Sequence, residues 1–216
     1  MVDPPRSPSD EVALGLRERR RQVTRRELAD AALDLFERHG VHGTTADDIA
    51  EAAGVSPRTF FRYVATKENA VFLEDDGFED LVARVRRAID AGMPVSAALD
   101  EAQLDLLEQF DGEHPDHHQR VLRVRRLIFA EPGLLALALA LDEEHVDRLV
   151  EIVLEAKGSD SELEARTLVT ALGAAQRLTF DEWARRAENG ERVSTRTLYA
   201  EIRACLADYF SAEQPE

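Results

Sequence analysis

Residues 54–63, GVSPRTFFRY, set two adjacent phenylalanines between Arg58 and Arg62. Neighbouring side chains on a helix diverge by roughly 100°, so Phe60 and Phe61 cannot both face one core. With Phe60 inward, Val64 falls on the same side at i+4. Arg58, Thr59 and Arg62 then point outward and Phe61 lies on the flank. Arginine pairs bidentately with a guanine edge, and a threonine methyl can touch the methyl of thymine. Arg62, Tyr63 and Lys67 lie farther along, at positions suited to phosphates. This is the chemistry of reading a nucleic acid, not of breaking bonds.

Such a helix needs a scaffold. Just before it stands TTADDIAEAAG (44–54), in which Thr45 and Asp48 have N-cap spacing and Ile49, Ala52 and Ala53 supply a short buried face. Gly54 permits a tight turn, Ser56 caps the next helix, and Pro57 takes its first position, where the missing N–H costs nothing. Two short helices joined at a glycine form the helix-turn-helix plan, whose second helix enters the major groove. Upstream, TRRELADAALDLFERHG (24–40) predicts a helix capped by Thr24, with an apolar stripe of Leu28, Ala32, Leu35 and Phe36. Downstream, residues 65–92 predict a fourth helix with Thr66 as its cap, and its amides add an anion site beside Lys67. Residues 1–10 hold three prolines, so residues 1–16 are expected to be a flexible tail.

Composition fits this plan. Glycine (11) and proline (8) are sparse in 216 residues and separate long stretches of Ala, Leu, Glu and Arg, which predicts an all-α chain. Residues 1–67 carry eleven basic and eleven acidic side chains, so the whole net charge of −16 follows Lys67. RERRRQVTRR (17–26) holds six arginines against one glutamate and can neutralise phosphates. One cysteine, Cys205, excludes an internal disulfide and a Cys-rich zinc site. The opening MVDPPRSPSD has no apolar stretch of a signal peptide. The longest apolar run, Leu134–Leu141, is far short of the ~18 residues of a membrane span. The expected location is therefore cytoplasmic, with no membrane partner. His114, Asp116 and His118 invite a metal reading, but Pro115 breaks any helix between the histidines, so no metal and no cofactor is expected. No activated nucleophile or marked carboxylate pair points to an enzyme.

The stretch AALDLFERHGVHGTTADDIAEAAGVSPRTFFRYVATKENAV resembles the TetR family of bacterial transcriptional regulators over about residues 24–72. Phe36, Gly40, Thr44, Thr45, Ile49, Ala50, Ala53, Gly54, Val55, Ser56, Thr59, Tyr63, Lys67 and Val71 carry the likeness. Phe60, Phe61 and Val64 depart from the family's Leu-Tyr pair and further aromatic, and Arg58 stands where a small residue is common. The resemblance implies a helix-turn-helix domain (17–68) and a larger helical effector-binding and dimerisation domain (69–216). It implies a homodimer on a palindromic double-stranded DNA operator, most often as a repressor although activators occur. Thr45, Ser56, Pro57, Arg58, Thr59, Phe61, Arg62, Tyr63 and Lys67 are the expected DNA-contacting residues.

The C-terminal part is similar to a subgroup with an acyl-CoA-like ligand domain, on RRLIFAEPGLLALALAL and DEWAR. This implies a small apolar effector, acyl-CoA or another lipid-like molecule. Candidate contacts are Phe110, Arg125, Ile128, Phe129, Leu172, Gln176 and Phe180; positions such as Leu168 and Leu172 read equally as core. The dimer seam is expected on residues 164–190 and 194–210, through Leu168, Leu172, Ala175 and Thr179 on one helix and Leu198, Ile202, Leu206 and Phe210 on the other. An intramolecular bundle would use the same stripes. A helical adaptor whose basic helix meets an acidic protein, or an activator without an effector, is the competing reading.

Overall fold

The computed structural model describes residues 8–73, 77–157 and 161–211. Among them lie nine α-helices, a 3-10 turn and no strand. The chain divides into two compact units, Met1–Asp75 and Asp76–Glu216. The first therefore extends past the expected boundary at residue 68, because the 3-10 turn Glu68–Phe72 packs on the first helix.

In the first unit, α1 runs Pro8–His39, α2 Ala46–Ala52 and α3 Pro57–Tyr63. α1 passes straight through Thr24, which is not a cap. Its start at Pro8 corrects the expected tail over residues 8–16; residues 1–7 of that tail lie outside the described residues. The physical reason is local: the prolines end at Pro8, proline suits the first helical position, and the residues that follow are mostly good helix formers. Leu28, Ala29, Ala32, Leu33 and Phe36 of α1 are buried with Ile49 and Ala50 of α2, and Phe60 and Val64 at α3. Leu33 is a core position that the expected stripe omitted, and Leu35 is only half-buried.

The expected helix over 65–92 is two elements. The 3-10 turn comes first, and α4 follows at Gly77–Asp90. Thr66 is not its cap; its hydroxyl donates to the Asn69 side chain at 2.7 Å.

The second unit holds α4 with α5 (Val95–Asp111), α6 (Pro115–Ala130), α7 (Pro132–Lys157), α8 (Glu162–Glu188) and α9 (Thr195–Ser211). The breaks fall at the expected Gly/Pro clusters; residues 158–160 of the KGSDS break lie outside the described residues. One core joins α4, α5, α7 and α8 through Val85, Leu99, Val150, Val153 and Val169. A second gathers Phe110, Leu122, Trp183 and Leu198. A third, around Leu107, Ala175 and Tyr199, joins α5, α8 and α9. Asp111, at the end of α5, accepts hydrogen bonds from the Ser194 hydroxyl (2.7 Å), the Thr195 amide (2.8 Å) and hydroxyl (2.9 Å) and the Arg196 amide (3.2 Å). Ser194 caps α9 locally by accepting from the Thr197 amide at 3.1 Å, and Asp111 adds a second cap supplied from another helix. Burial opposes its ionisation, but these donors outweigh burial and hold the carboxyl below the usual carboxylate range.

Candidate nucleic-acid interface

α2 is set by a reciprocal cap. The Thr45 hydroxyl accepts from the Asp48 amide at 3.2 Å, and the Asp48 carboxylate accepts from the Thr45 amide at 2.8 Å. Bonds from Thr45 lower the Asp48 pKa. Gly54 then turns the chain with φ +67°, a conformation that side chains with a Cβ resist. Ser56 caps α3 by accepting from the Thr59 amide at 3.1 Å, and Pro57 opens the helix.

α3 sorts its side chains by one rule. Phe60 has no exposed surface, whereas Phe61 is 57% exposed and meets Phe60 edge-on, ring centroids 5.2 Å apart. Arg58 and Arg62 are exposed and Thr59 is half-buried. The Thr59 hydroxyl is engaged with that of Ser56 at 3.0 Å. The Arg62 guanidinium lies 5.2 Å from the centre of the Tyr63 ring. Arg58, Phe61 and Arg62 thus project from a helix end held by a cap below and an anchored ring behind.

Lys67 departs from the expected phosphate contact. Its ammonium donates to the carbonyls of Val41 and Thr44, both at 2.7 Å, and its side chain is 23% exposed. The Thr44 hydroxyl donates to the Gly40 carbonyl at 3.0 Å, so the α1–α2 loop is closed from two sides. Lys67 holds the loop rather than reaching outward. The signal was unavailable in the local pattern because both acceptors lie more than twenty residues upstream.

In the second unit, three of the seven proposed effector contacts come together. The Phe110 and Phe180 rings meet edge-on at 5.1 Å, and the Arg125 guanidinium stands 5.5 Å from the Phe180 centroid. Arg125 is already paired with Asp181 at 2.9 Å. Asp181 is raised above its ordinary value because burial outweighs the attraction of Arg125 and Arg177. Leu172 packs against two of the cores, Gln176 is half-buried, Ile128 is buried, and Phe129 is 57% exposed. Buried polar atoms not foreseen from the sequence sit nearby on α5 and α9: Gln103 Nε2, Asp100 Oδ1 and the Tyr199 hydroxyl have no hydrogen-bond partner. Burial first, and then the Asp100 charge, pushes the Tyr199 phenol up to about 12. His114 caps α6 by accepting from the Asp116 amide, while His118 Nε2 lies 2.6 Å from the Phe110 carbonyl oxygen, so the two imidazoles serve separate local bonds.

Several residues of the expected dimer stripes pack inside the protomer. Ala175, Thr179 and Leu198 are fully buried within the protomer. The Thr179 hydroxyl returns to the Ala175 carbonyl at 2.8 Å, and Leu198 packs with Phe110 and Trp183. Leu168 and Leu172 also pack on the protomer's core, and an added Cβ at Gly173 would meet Val146 of the same chain at 3.8 Å. Two antiparallel helices bury their best stripe against nearest neighbours first. Ile202 is half-buried and Leu206 is exposed; the Phe210 side chain lies outside the described residues.

The profile of the bacterial regulatory proteins, tetR family, matches residues 28–71, the α1–α3 segment and the turn after it. The chain is 33% identical over 191 residues to the HTH-type transcriptional regulator TcmR of Streptomyces glaucescens, covering 87% of this chain and 84% of that protein. It is 33% identical over 91 residues to the HTH-type transcriptional repressor KstR2 of Rhodococcus jostii strain RHA1, covering 42% and 45% of the two chains. Among solved structures, Thermus thermophilus FadR, a TetR-family repressor in complex with lauroyl-CoA, has the same fold, with TM-score 0.52 and 22% identity over 88% of this chain and 97% of that one. No described helix is long and apolar enough to cross a membrane. With its capped reading helix and a relative matched along most of both chains, the protein belongs to the TetR family and is a DNA-binding transcriptional regulator.

Proposed function

We propose that the chain acts as a homodimeric repressor on a palindromic operator in the cytoplasm, by binding and without turnover. Its operator affinity is changed by a small apolar effector, an acyl-CoA or another lipid-like molecule. The observation that carries the reading is α3: Arg58, Phe61 and Arg62 exposed over a wholly buried Phe60. Arg58 reads a base edge, Thr59 and Phe61 make apolar base or sugar contacts, and Arg62 and Tyr63 contact phosphates. Thr45, Ser56 and Pro57 set the helices and lie at their N-terminal ends, where backbone amides favour phosphate. Two copies would read two half-sites about one helical turn apart.

The effector class is supported by the lauroyl-CoA complex of Thermus thermophilus FadR, which shares the fold. Within this chain the apolar contacts are Phe110, Ile128, Leu172 and Phe180, with Gln176 beside them. The unpartnered Gln103 and Tyr199 are suited to a polar group of the effector. Arg125 would meet an acyl-CoA phosphate only by releasing Asp181. Ile202 and Leu206, left partly open on α9, are the remaining members of the stripe suited to a second copy.

The test is a mobility shift of the purified protein on DNA flanking its own gene, with and without long-chain acyl-CoA at one salt concentration. A shifted band lost on adding acyl-CoA is the expected result. A band indifferent to it removes the effector class and leaves the regulator standing.

A further inference from the structure

Most arginines of the second unit lie beside carboxylates, and those at the start of α1 do not. Arg17, Arg19, Arg20 and Arg21 are exposed, as are Gln22 and Val23 between them and the core. Among the described residues these four arginines have no ion pair. In the second unit Arg84, Arg86, Arg126, Arg148, Arg177 and Arg203 each lie beside a carboxylate. Leaving four guanidiniums unpaired within five residues costs repulsion between them, and that cost falls away when an anion is near.

Their spacing selects a flank. Arg17, Arg20 and Arg21 stand at i, i+3 and i+4, which places them together on a helix surface. Arg19 and Arg26 fall on a different flank, and Arg26 faces Asp30 at 3.8 Å. Among the described side chains of α1 the first buried one is Leu28, and Arg17 and Arg19 to Val23 before it are exposed. Arg17 to Arg21 spans about 6 Å of helix axis, so the three guanidiniums present one compact cationic patch. The segment is continuous with the turns of α1 that pack on α2, which in turn carries α3. A duplex docked on α3 is therefore the polyanion nearest to hand.

We infer that the Arg17, Arg20 and Arg21 flank of α1 is a second DNA-contacting surface, which binds duplex phosphates without reading sequence. It adds affinity to specific and scrambled duplexes alike and leaves discrimination to α3.

The test is the slope of log affinity against log salt for the full chain on a duplex carrying its operator and on a scrambled one. Each phosphate contact adds about 0.9 to the slope. R17A/R20A/R21A is expected to lower the slope by about 2–3 per protomer, to weaken both duplexes by the same factor and to keep the ratio between them. Alanine is the best helix former, so helix content by circular dichroism should hold. R19A/R26A serves as the control and should move the slope less than half as far. A slope change below 1 in the triple variant, or a control shift of half that size or more, overturns the assignment. Failure of the wild-type chain to bind either duplex is a separate outcome, visible in the same titration, and would strike the operator reading itself.

Discussion

Arginine serves opposite ends in the two units. In the first, Arg58, Arg62, Arg17, Arg19, Arg20 and Arg21 are exposed and, among the described residues, have no carboxylate partner. In the second, arginines tie helix to helix: Arg148 to Glu79, Arg166 to Asp147, Arg177 to Asp142 and Arg203 to Asp100. The same side chain is a reader where its charge is left open and a clamp where it is closed. The difference teaches that total charge says little. A chain of net charge −16 can present a basic face because its whole acidic excess follows Lys67.

The strongest challenge to this contrast is aimed at its anchor. Phe60→Ala removes a fully buried ring and should cost the first unit about 3–5 kcal/mol, abolishing duplex binding with it. Phe61→Ala, at the exposed ring, should stay within about 0.5 kcal/mol in stability and act on DNA affinity instead. Equal stability losses in denaturant titrations would break the division between inward and outward residues on α3. Next comes Asp111→Ala in the second unit, which removes the cross-helix acceptor of the Thr195 and Arg196 amides and leaves the Thr195 hydroxyl only its longer bond to the Leu107 carbonyl; about 2–3 kcal/mol should be lost. Since the folded pKa of Asp111 is depressed, its contribution is complete above the usual carboxylate range and fades as pH falls through the folded value. Asp111→Asn should flatten the acid side of the stability profile, and an unchanged profile would contradict the cap.

Lys67→Met tests which kind of cation Lys67 is. As a loop clamp it should cost the first unit about 1–3 kcal/mol and leave the salt slope of DNA binding unmoved. A lower slope at full stability would return it to the phosphate contacts. Smaller still is the paired comparison of Arg58→Ala with Arg166→Ala. The first should relax preference at one operator position by about 1–3 kcal/mol, read by binding a panel of single-base variants. The second breaks an exposed pair and should leave stability near wild type, with no change on DNA.

The reading head was legible in the sequence because its determinants are local. Thr45 with Asp48, Ser56 with Thr59, and Gly54 all act within four residues; helical geometry required that only one of Phe60 and Phe61 be buried, and Val64 at i+4 from Phe60 fitted Phe60 as that one. The long-range determinants were not legible. Lys67 finds its carbonyls across more than twenty residues, and Asp111 finds α9 across more than eighty. The stripe of Ala175, Thr179 and Leu198 read equally well as a seam between chains or within one, and it takes the packing of Phe110, Trp183 and Tyr199 to show these residues buried in the protomer's own cores. The start of α1 was missed because three prolines outweighed a run of helix formers that begins immediately after them.

The bridging cap at Asp111 also makes α9 self-reporting. The first amides of a helix have no partner inside it and ordinarily trade their protons with water at once. Those of Thr195 and Arg196 are held by a carboxylate on another helix, so their exchange must wait until α5 and α9 part or Asp111 swings away. In a hydrogen-exchange experiment these two protons act as a clock on that seam: any molecule that loosens or tightens the packing of α5 on α9 will change their lifetime, whether or not it touches them.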